Sequence, residues 1–513
     1  MDILIIVAFV LYFVFVLAMG TYFYRRTKNL EDYVLGGREM NPYVTALSAQ
    51  ASDMSGWLLM GLPGAIFVAG LGEIWIGIGL AIGSYLAWLI VAKRLRKYSE
   101  KCGNALTVSQ YFSNRFHDNK GVLKLICGIV ILVFFTFYVT SGFVAGGNLF
   151  VVIFGGEIDF TVAVIITAAV IIGYTFLGGF KAVSWTDLVQ GMLMLIAVIV
   201  IPLSMFGAIN GGWGEIVDIA NAEVDHFTDI MYDGGSPIGF IALVSLMAWG
   251  LGYFGMPHIL VRYMAIRDPE EVKVARRVGT IWVIIALGAV AIIAMFAHAF
   301  IAEGHMGPLT NPENVIIDVI NSGLFPSIVA GILFAAIMAA IMSTADSQLL
   351  VASSAVANDL ADRFSKERIS ESKLMWISRF AVVAIALIAM ALALGENNSI
   401  MKLVSFAWAG FGSAFGATMI MSLFWKRINR QGAIAGIVVG ALTAIIWNIF
   451  LYQGGALSVA FNLDLCIVDT GVYELLPGFI FSLIAIVVVS LLTAEPSEEM
   501  QREFDEATEG KFY

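Results

Sequence analysis

Apolar residues along this chain come in runs of about twenty, the length a helix needs to cross roughly 30 Å of hydrocarbon, and polar residues gather between the runs. Thirteen candidate spans result, at approximately 3–24, 43–70, 74–92, 125–154, 159–179, 188–209, 237–261, 279–303, 324–359, 375–394, 399–424, 432–452 and 474–493. The pattern predicts an all-α polytopic membrane protein. Segment 3–24 has the length of a signal peptide, but Asp2 precedes it and Arg25, Arg26 and Lys28 follow it, the reverse of a leader's charge order. It reads as a retained first helix.

Two spans are interrupted. Span 43–70 contains Asp53, Ser55-Gly56 and Gly61-Leu62-Pro63-Gly64, and span 237–261 contains Gly250-Leu251-Gly252 and Gly255-Met256-Pro257. Gly/Pro breaks in corresponding hydrophobic segments point to an inverted-repeat transporter with its site near the midplane. Each broken span opens a set of five. The predicted order is a first helix and inner loop (1–42), a five-helix repeat (43–209), an acidic outer loop (210–236), an inverted five-helix repeat (237–424), two additional helices (425–494) and a cytoplasmic tail (495–513). Most of the 51 glycines lie within or beside spans, where small residues let helices approach closely.

Composition agrees: 59 % of residues are hydrophobic and 13 % charged, which excludes a single soluble core. Of the 29 Lys and Arg, 28 fall on alternate loops and their flanks, Lys402 being the exception. Lys and Arg favour cytoplasmic loops, so the N-terminus is expected outside and the C-terminus inside. The longest outer loop carries Glu215, Asp218, Glu223, Asp225, Asp229 and Asp233, so the formal charge of −10 reflects an acidic outer face. No nucleic-acid surface is indicated. Cys102, Cys127 and Cys466 offer neither a disulfide framework nor a metal spacing.

A carboxylate at a membrane helix centre costs about 2.5–3.5 kcal/mol on insertion scales, so Asp53 requires a compensating partner. Beside it, Ser55-Gly56 can loosen the helix and free carbonyls. Ser343-Thr344, in span 324–359, offers two adjacent hydroxyls, and Ala340 sits one turn before them. Na⁺ is a hard cation that takes oxygen ligands. Carbonyls of Ala51, Met54 and Ala340 with the hydroxyls of Ser343 and Thr344 would make a five-oxygen site. The plainer use of such hydroxyls is back-bonding to the preceding turn or joining helices.

Trp249, Tyr253 and Pro257 recur at i, i+4 and i+8 and share one stripe if the helix is regular. An indole and a phenol can flank a small apolar ring and hold a secondary ammonium by cation–π contact; helix packing or an interfacial belt is the alternative. Tyr138, in the middle of its span, is a similar candidate. His298 reads as structural. Asp187, at the start of span 188–209, reads as a helix cap, and Arg38 as a positive-inside anchor.

The run Asp32-Tyr33-Val34-Leu35-Gly36-Gly37-Arg38, followed by Thr45 through Gly64 with Ala51-Ser52-Asp53-Met54-Ser55-Gly56-Trp57 inside it, closely resembles the bacterial sodium/proline symporters of the solute:sodium symporter family. Leu177-Gly178-Gly179-Phe180 with Trp185-Thr186-Asp187 is a broader mark of that family. The resemblance covers nearly the whole chain. It implies a leucine-transporter-like core of two inverted five-helix repeats in the bacterial plasma (inner) membrane, and the same five-residue Na⁺ site. It further implies L-proline contacts at Ser55, Gly56, Tyr138, Trp249, Tyr253 and Pro257, with Asp53 needed for high-affinity Na⁺ binding. By the same resemblance Asp187 lies on the inward ion route and Arg38 influences coupling near the inner gate. Gln50 departs from it, standing where a smaller residue is expected.

The expectation is therefore Na⁺-coupled import of L-proline by alternating access, with membrane lipid as the surrounding partner and no enzymatic activity. Two alternatives remain on the residues alone. One is a Na⁺-coupled carrier for another small solute, such as a sugar or vitamin; the other is an uncoupled channel or uniporter.

Overall fold

In hydrocarbon every backbone N–H and C=O has to be satisfied within the protein, which leaves helices as the spanning elements of this chain. The structure, a computed structural model, describes residues 3–27, 29–361, 369–395, 398–452, 455–461 and 465–508. Asp2, part of the basic loop expected at 363–379 and the last five residues of the tail lie outside the described residues.

The membrane-length elements are α1 (Ile3–Tyr24), α2 (Pro42–Asp53), α3 (Trp57–Ala69), α4 (Leu71–Lys101), α5 (Val122–Ile153), α6 (Phe160–Leu177), α7 (Phe180–Ala208), α8 (Phe240–Phe254), α9 (Pro257–Ala265), α10 (Val272–Ala302), α11 (Ser327–Ala361), α12 (Glu371–Ala393), α13 (Ile400–Phe424), α14 (Arg430–Phe450) and α15 (Leu475–Leu492). Ten described helices are continuous, long and apolar enough to cross a membrane, and α8 with α9, bent by 45°, makes eleven. The other two expected spans are the broken pair α2–α3 and the shorter α6, so thirteen is an approximate count.

Both expected interruptions exist. The first falls at Met54–Gly56, between α2 and α3, where Met54 leaves helical geometry at φ −82° and ψ 68°. Ser55 then starts α3, its Oγ accepting the Trp57 N–H at 3.1 Å. The first turn of α3 is wide, with the Leu62 N–H reaching back to the Trp57 carbonyl, which accommodates Pro63 without a clash on the preceding turn. The second break, at Gly255–Met256, separates a tightly wound 3₁₀ stretch, Ala248–Phe254, from α9, which starts on Pro257. Proline suits a first helical position because its missing N–H would have had no helical partner there.

Helix α11 is the central post, packed against α1, α2, α5, α7 and α12. Helices α4 and α8 meet backbone to backbone. A Cβ on Gly83 would lie 2.1 Å from the Gly250 carbonyl oxygen, and one on Gly250 would lie 2.2 Å from that of Gly79. Between α7 and α8, Gly212–Glu223 and a hairpin pairing Tyr232–Asp233 with Ser236–Pro237 occupy the acidic segment.

Three segments differ from expectation. α7 begins at Phe180 and not near residue 188, because Thr186 and Asp187 find partners inside the bundle, Thr186 in the Tyr174 hydroxyl and Asp187 Oδ2 in Ser48 and Arg262. α4 runs on into the basic segment Lys93–Lys101. The acidic tail forms a helix, α16 (Glu498–Thr508), that buries Met500, Phe504 and Ala507 while Lys426 pairs with Asp505 at 2.6 Å.

Gly83→Ala places a methyl group against backbone and is expected to cost about 1–3 kcal/mol, read as a lower thermal midpoint in detergent. Gly288→Ala, where a Cβ meets nothing within 4 Å, should leave the midpoint unchanged.

Candidate functional site

The α2–α3 break lies against the middle of α11. Ser343 Oγ donates to the Ala51 carbonyl at 2.7 Å and is 3.2 Å from the Ala340 carbonyl, while Thr344 Oγ1 lies 3.4 Å from the same Ala51 oxygen. Four of the five residues expected to hold Na⁺ are thus joined directly, and Met54 ends α2 beside them, its N–H bonded to the Gln50 carbonyl at 2.9 Å. Carbonyls and hydroxyls are the donor set a small hard cation takes. A cation here would replace the hydroxyl protons now pointing at the carbonyls.

Asp53 faces away from those hydroxyls. Its Oδ2 accepts a hydrogen bond from Tyr253 of α8, and its backbone carbonyl accepts one from the Tyr138 hydroxyl of α5 at 3.3 Å. Three residues singled out separately along the sequence therefore meet, and the carboxylate is 4 % exposed. Burial this deep requires partners, and Tyr253 supplies one.

Beside Asp53 is a void of about 10 Å³ lined by Asp53, Met54, Trp57, Leu80, Tyr138, Trp249, Val404 and Trp408, room for about one water molecule. Trp249 forms one wall of it. That indole stacks on Trp57 at 5.6 Å and on Tyr473 at 5.1 Å, and Trp249 also lines a second cavity of about 360 Å³ with Glu73, Asp233, Lys402 and Tyr473. Trp408 braces the partition through its indole N–H, bonded to the Trp249 carbonyl at 2.7 Å.

Not every expected solute contact lines the void. Ser55 caps α3, Gly56 allows close approach to α5 because a Cβ would lie 2.7 Å from that of Ala145, and Pro257 begins α9. The stripe drawn through Trp249, Tyr253 and Pro257 assumed 3.6 residues per turn. The 3₁₀ winding and the break at Gly255 change that spacing.

Arg38 is a buried clamp rather than a surface anchor. Its guanidinium holds Asn104 Oδ1 at 2.9 Å, Ser99 Oγ at 3.1 Å and the carbonyls of Met264 and Ala105, each at 2.8 Å. These bonds hold it in a left-handed backbone conformation, φ 53°, uncommon for a residue with a side chain. Next to it the Met40 N–H bonds the Ala265 carbonyl at 3.2 Å, and the Arg267 N–H bonds the Met40 carbonyl at 3.0 Å, closing the start of α2 onto the end of α9.

Asp187 is fully buried seven residues into α7, so it is no cap. It accepts from Ser48 Oγ at 2.7 Å and from Arg262 Nη2 at 3.1 Å. In the sequence Arg262 stands at the flank of a basic loop, with nothing local to show that α9 carries it inside the bundle, where an ionisable residue points to function. Gln50 packs at the α2–α4–α10 seam, its Nε2 3.5 Å from Ser84 Oγ.

Two broken helices joined through the Tyr253–Asp53 bond, beside a buried cluster of carbonyl and hydroxyl oxygens, mark a membrane transporter of the secondary type. The chain belongs to the sodium:solute symporter family, whose family model matches residues 33–440. It is 46 % identical over 490 residues to the high-affinity proline transporter PutP of Bacillus subtilis (strain 168), covering 96 % of this chain and 98 % of that protein. It is 44 % identical over 505 residues to the sodium/proline symporter of Escherichia coli (strain K12), covering 98 % and 96 %. Among solved structures, that of a Na⁺-coupled sialic acid symporter in a substrate-bound outward-open state superposes with a TM-score of 0.77 at 20 % identity, covering 97 % of this chain and 99 % of that one. Mhp1, a nucleobase-cation-symport-1 family transporter in a closed conformation, gives 0.55 at 14 %, covering 93 % and 99 %. The fold is the expected all-α polytopic one with a leucine-transporter-like core.

Tyr253→Phe is expected to destabilise the folded protein by about 1.5–3 kcal/mol, the worth of a hydrogen bond to a charged group. In a thermal-unfolding double-mutant cycle, Asp53→Asn should recover part of that loss, and additive effects would show the two side chains to be uncoupled.

Proposed function

We propose that this protein imports L-proline together with Na⁺ across the bacterial plasma membrane. The observation that carries the reading is the junction of Ala51, Ala340, Ser343 and Thr344 at a helix break, beside an aromatic void walled by Tyr138 and Trp249. The relatives' printed functions supply the solute, since those in both Bacillus subtilis and Escherichia coli are described by proline transport.

Na⁺ takes the carbonyls of Ala51, Met54 and Ala340 with the hydroxyls of Ser343 and Thr344, pinning the α2–α3 break to α11. Asp53 stays off the ion. Through Tyr253 and Tyr138 it ties the ion side to the solute side, so order on one side lowers the cost of order on the other. Proline enters past Trp249, displacing its stack on Trp57 and Tyr473. The pyrrolidine ring lies against Tyr138, Trp249 and Tyr253, and its carboxylate lies toward the N–H groups that open α3 at Ser55 and Gly56.

Access alternates as one helix bundle moves against the rest of a core made of the repeats 43–209 and 237–424, with residues 1–42, 210–236, 425–494 and 495–513 outside that core. The N-terminus is outside and the C-terminus cytoplasmic, as the Lys and Arg distribution directs. Arg38 with the Met40–Ala265 contact is then the inner gate, and Asp187 lies on the route the ion takes to it. Each Na⁺ carried inward contributes about 2.3 kcal/mol per 100 mV of membrane potential.

Labelled proline uptake into proteoliposomes should require an inward Na⁺ gradient, and uptake indifferent to Na⁺ would overturn the reading. Thr344→Ala should raise the Na⁺ concentration for half-maximal uptake by about tenfold or more, equivalent to at least about 1.4 kcal/mol. Trp249→Ala should weaken proline binding more than Na⁺ binding. Competition by sugars or vitamins but not by unlabelled proline would reassign the solute.

A further inference from the structure

Between the Ser343–Thr344 hydroxyls and the Arg38 clamp lies a second buried polar cluster. Ser347 is three residues beyond Thr344 on α11 and Ser48 three residues before Ala51 on α2, so each sits one turn from the ion oxygens on nearly the same helix face. Arg262 of α9 reaches between them. Its Nε donates to Ser48 Oγ at 3.0 Å, and its Nη2 donates to Asp187 Oδ2 at 3.1 Å and to Ser347 Oγ at 2.5 Å. Its Nη1 bonds the His258 carbonyl at 2.8 Å, and Ser347 Oγ donates to Asp346 Oδ1 at 3.3 Å. Arg262 is 1 % exposed, and Ser48, Asp187, Asp346 and Ser347 are 0 % exposed.

Two carboxylates here surround one guanidinium, Asp187 bonded to it directly and Asp346 through Ser347. Asp187 Oδ1 and Asp346 Oδ2 have no hydrogen-bond partner in the structure, so this cage attracts cations beyond what Arg262 satisfies. A buried carboxylate stripped of its partner is strongly unfavourable, and the nearest mobile cation would be the one leaving Ser343 and Thr344. The arm that holds the guanidinium is itself conditional. α9 is joined to α8 through the Gly255–Met256 break, and its far end is fixed by the Met264 carbonyl on Arg38 and the Met40–Ala265 bond. Those are the contacts of the gate described above.

We infer that Arg262 is a tethered counter-cation for Asp187 and Asp346, holding the carboxylates against Na⁺ while the Arg38 gate is shut and vacating them when α9 swings away. The inference rests on the Na⁺-coupled reading. With the gate closed, Na⁺ on Ser343 and Thr344 has no anionic step below it, and the guanidinium repels it from that side. With the gate open, the freed carboxylates offer the ion a path toward the aqueous side. Arg262 is a positioning residue. It touches neither Na⁺ nor solute, and its charge sets when Asp187 becomes available.

The test uses the full chain in proteoliposomes with three readouts: net Na⁺-driven proline uptake, proline exchange at equal Na⁺ on both sides, and inhibition of uptake by internal Na⁺. In Arg262→Met the uncovered carboxylates hold Na⁺ at the exit. Net uptake should fall about tenfold or more, exchange should fall about threefold or less, and internal Na⁺ should inhibit at about tenfold lower concentration, tenfold being about 1.4 kcal/mol. Arg262→Lys should restore most of the net rate, and Arg262→Met with Asp187→Asn should return the internal Na⁺ sensitivity toward that of the wild type. Equal loss of net uptake and exchange with unchanged internal Na⁺ sensitivity would overturn the inference. If Arg262→Met does not fold, Asp346→Asn decides: weaker inhibition by internal Na⁺ supports the inference and unchanged inhibition contradicts it. Wild-type uptake indifferent to Na⁺ would refute the symport reading and this inference with it, whereas Na⁺-dependent wild-type uptake with unaltered variants would refute this inference alone.

Discussion

A helix that stops inside a membrane exposes carbonyl groups with no water to satisfy them, and the structure around Met54–Gly56 is arranged by that constraint. Ser343 gives its proton to Ala51, Tyr138 gives its proton to Asp53, and Ser55 caps the restart at Trp57. Each partner comes from a different place in the chain, so the break joins α2, α5 and α11. The carbonyls are held by hydroxyl protons, which a small cation can displace without leaving them unsatisfied. One unmet backbone requirement thus provides the seam of the bundle and gathers the oxygens that the proposed ion site uses.

The solute side follows from the same seam. Asp53 occupies the last residue of α2, and the Tyr253 hydroxyl that neutralises its isolation belongs to α8, the other broken helix. Trp249 and Tyr253 lie on the 3₁₀ segment, so displacing Trp249 to admit a solute pulls on the element that holds Asp53. The glycine contacts between α4 and α8 bring that segment close enough to matter. On the opposite side, the Arg38 clamp and the Met40–Ala265 bond fix α9, and through it Arg262 and Asp187. Both of these contact sets therefore involve broken helices rather than continuous ones.

What the sequence made legible was whatever violated a simple rule. Asp53 breaks the rule against membrane charge, the Gly/Pro clusters break the rule for continuous spans, and Ser343-Thr344 is a polar pair in a long apolar run. All three fall at the candidate site. What stayed hidden depended on tertiary partners. α7 continues through a polar run because Tyr174 binds Thr186 and Ser48 and Arg262 bind Asp187 Oδ2, and no local pattern records that. Arg262 looked like one more positive loop residue, since counting Lys and Arg treats each as solvent-exposed. The 3₁₀ winding of Ala248–Phe254 is invisible to a reading built on 3.6 residues per turn, and the acidic tail becomes a helix by burying Met500 and Phe504, the latter against Tyr98.

The central claim is that ion and solute are bound by one coupled element, the α2–α3 break. Equilibrium binding on the purified full chain tests it most directly, with labelled proline titrated at several Na⁺ concentrations and Na⁺ titrated at several proline concentrations. Linkage requires each ligand to raise the other's affinity by the same factor, about 5–150-fold for a coupling of 1–3 kcal/mol, and Asp53→Asn should shrink that factor. Proline affinity that does not change with Na⁺ would contradict it.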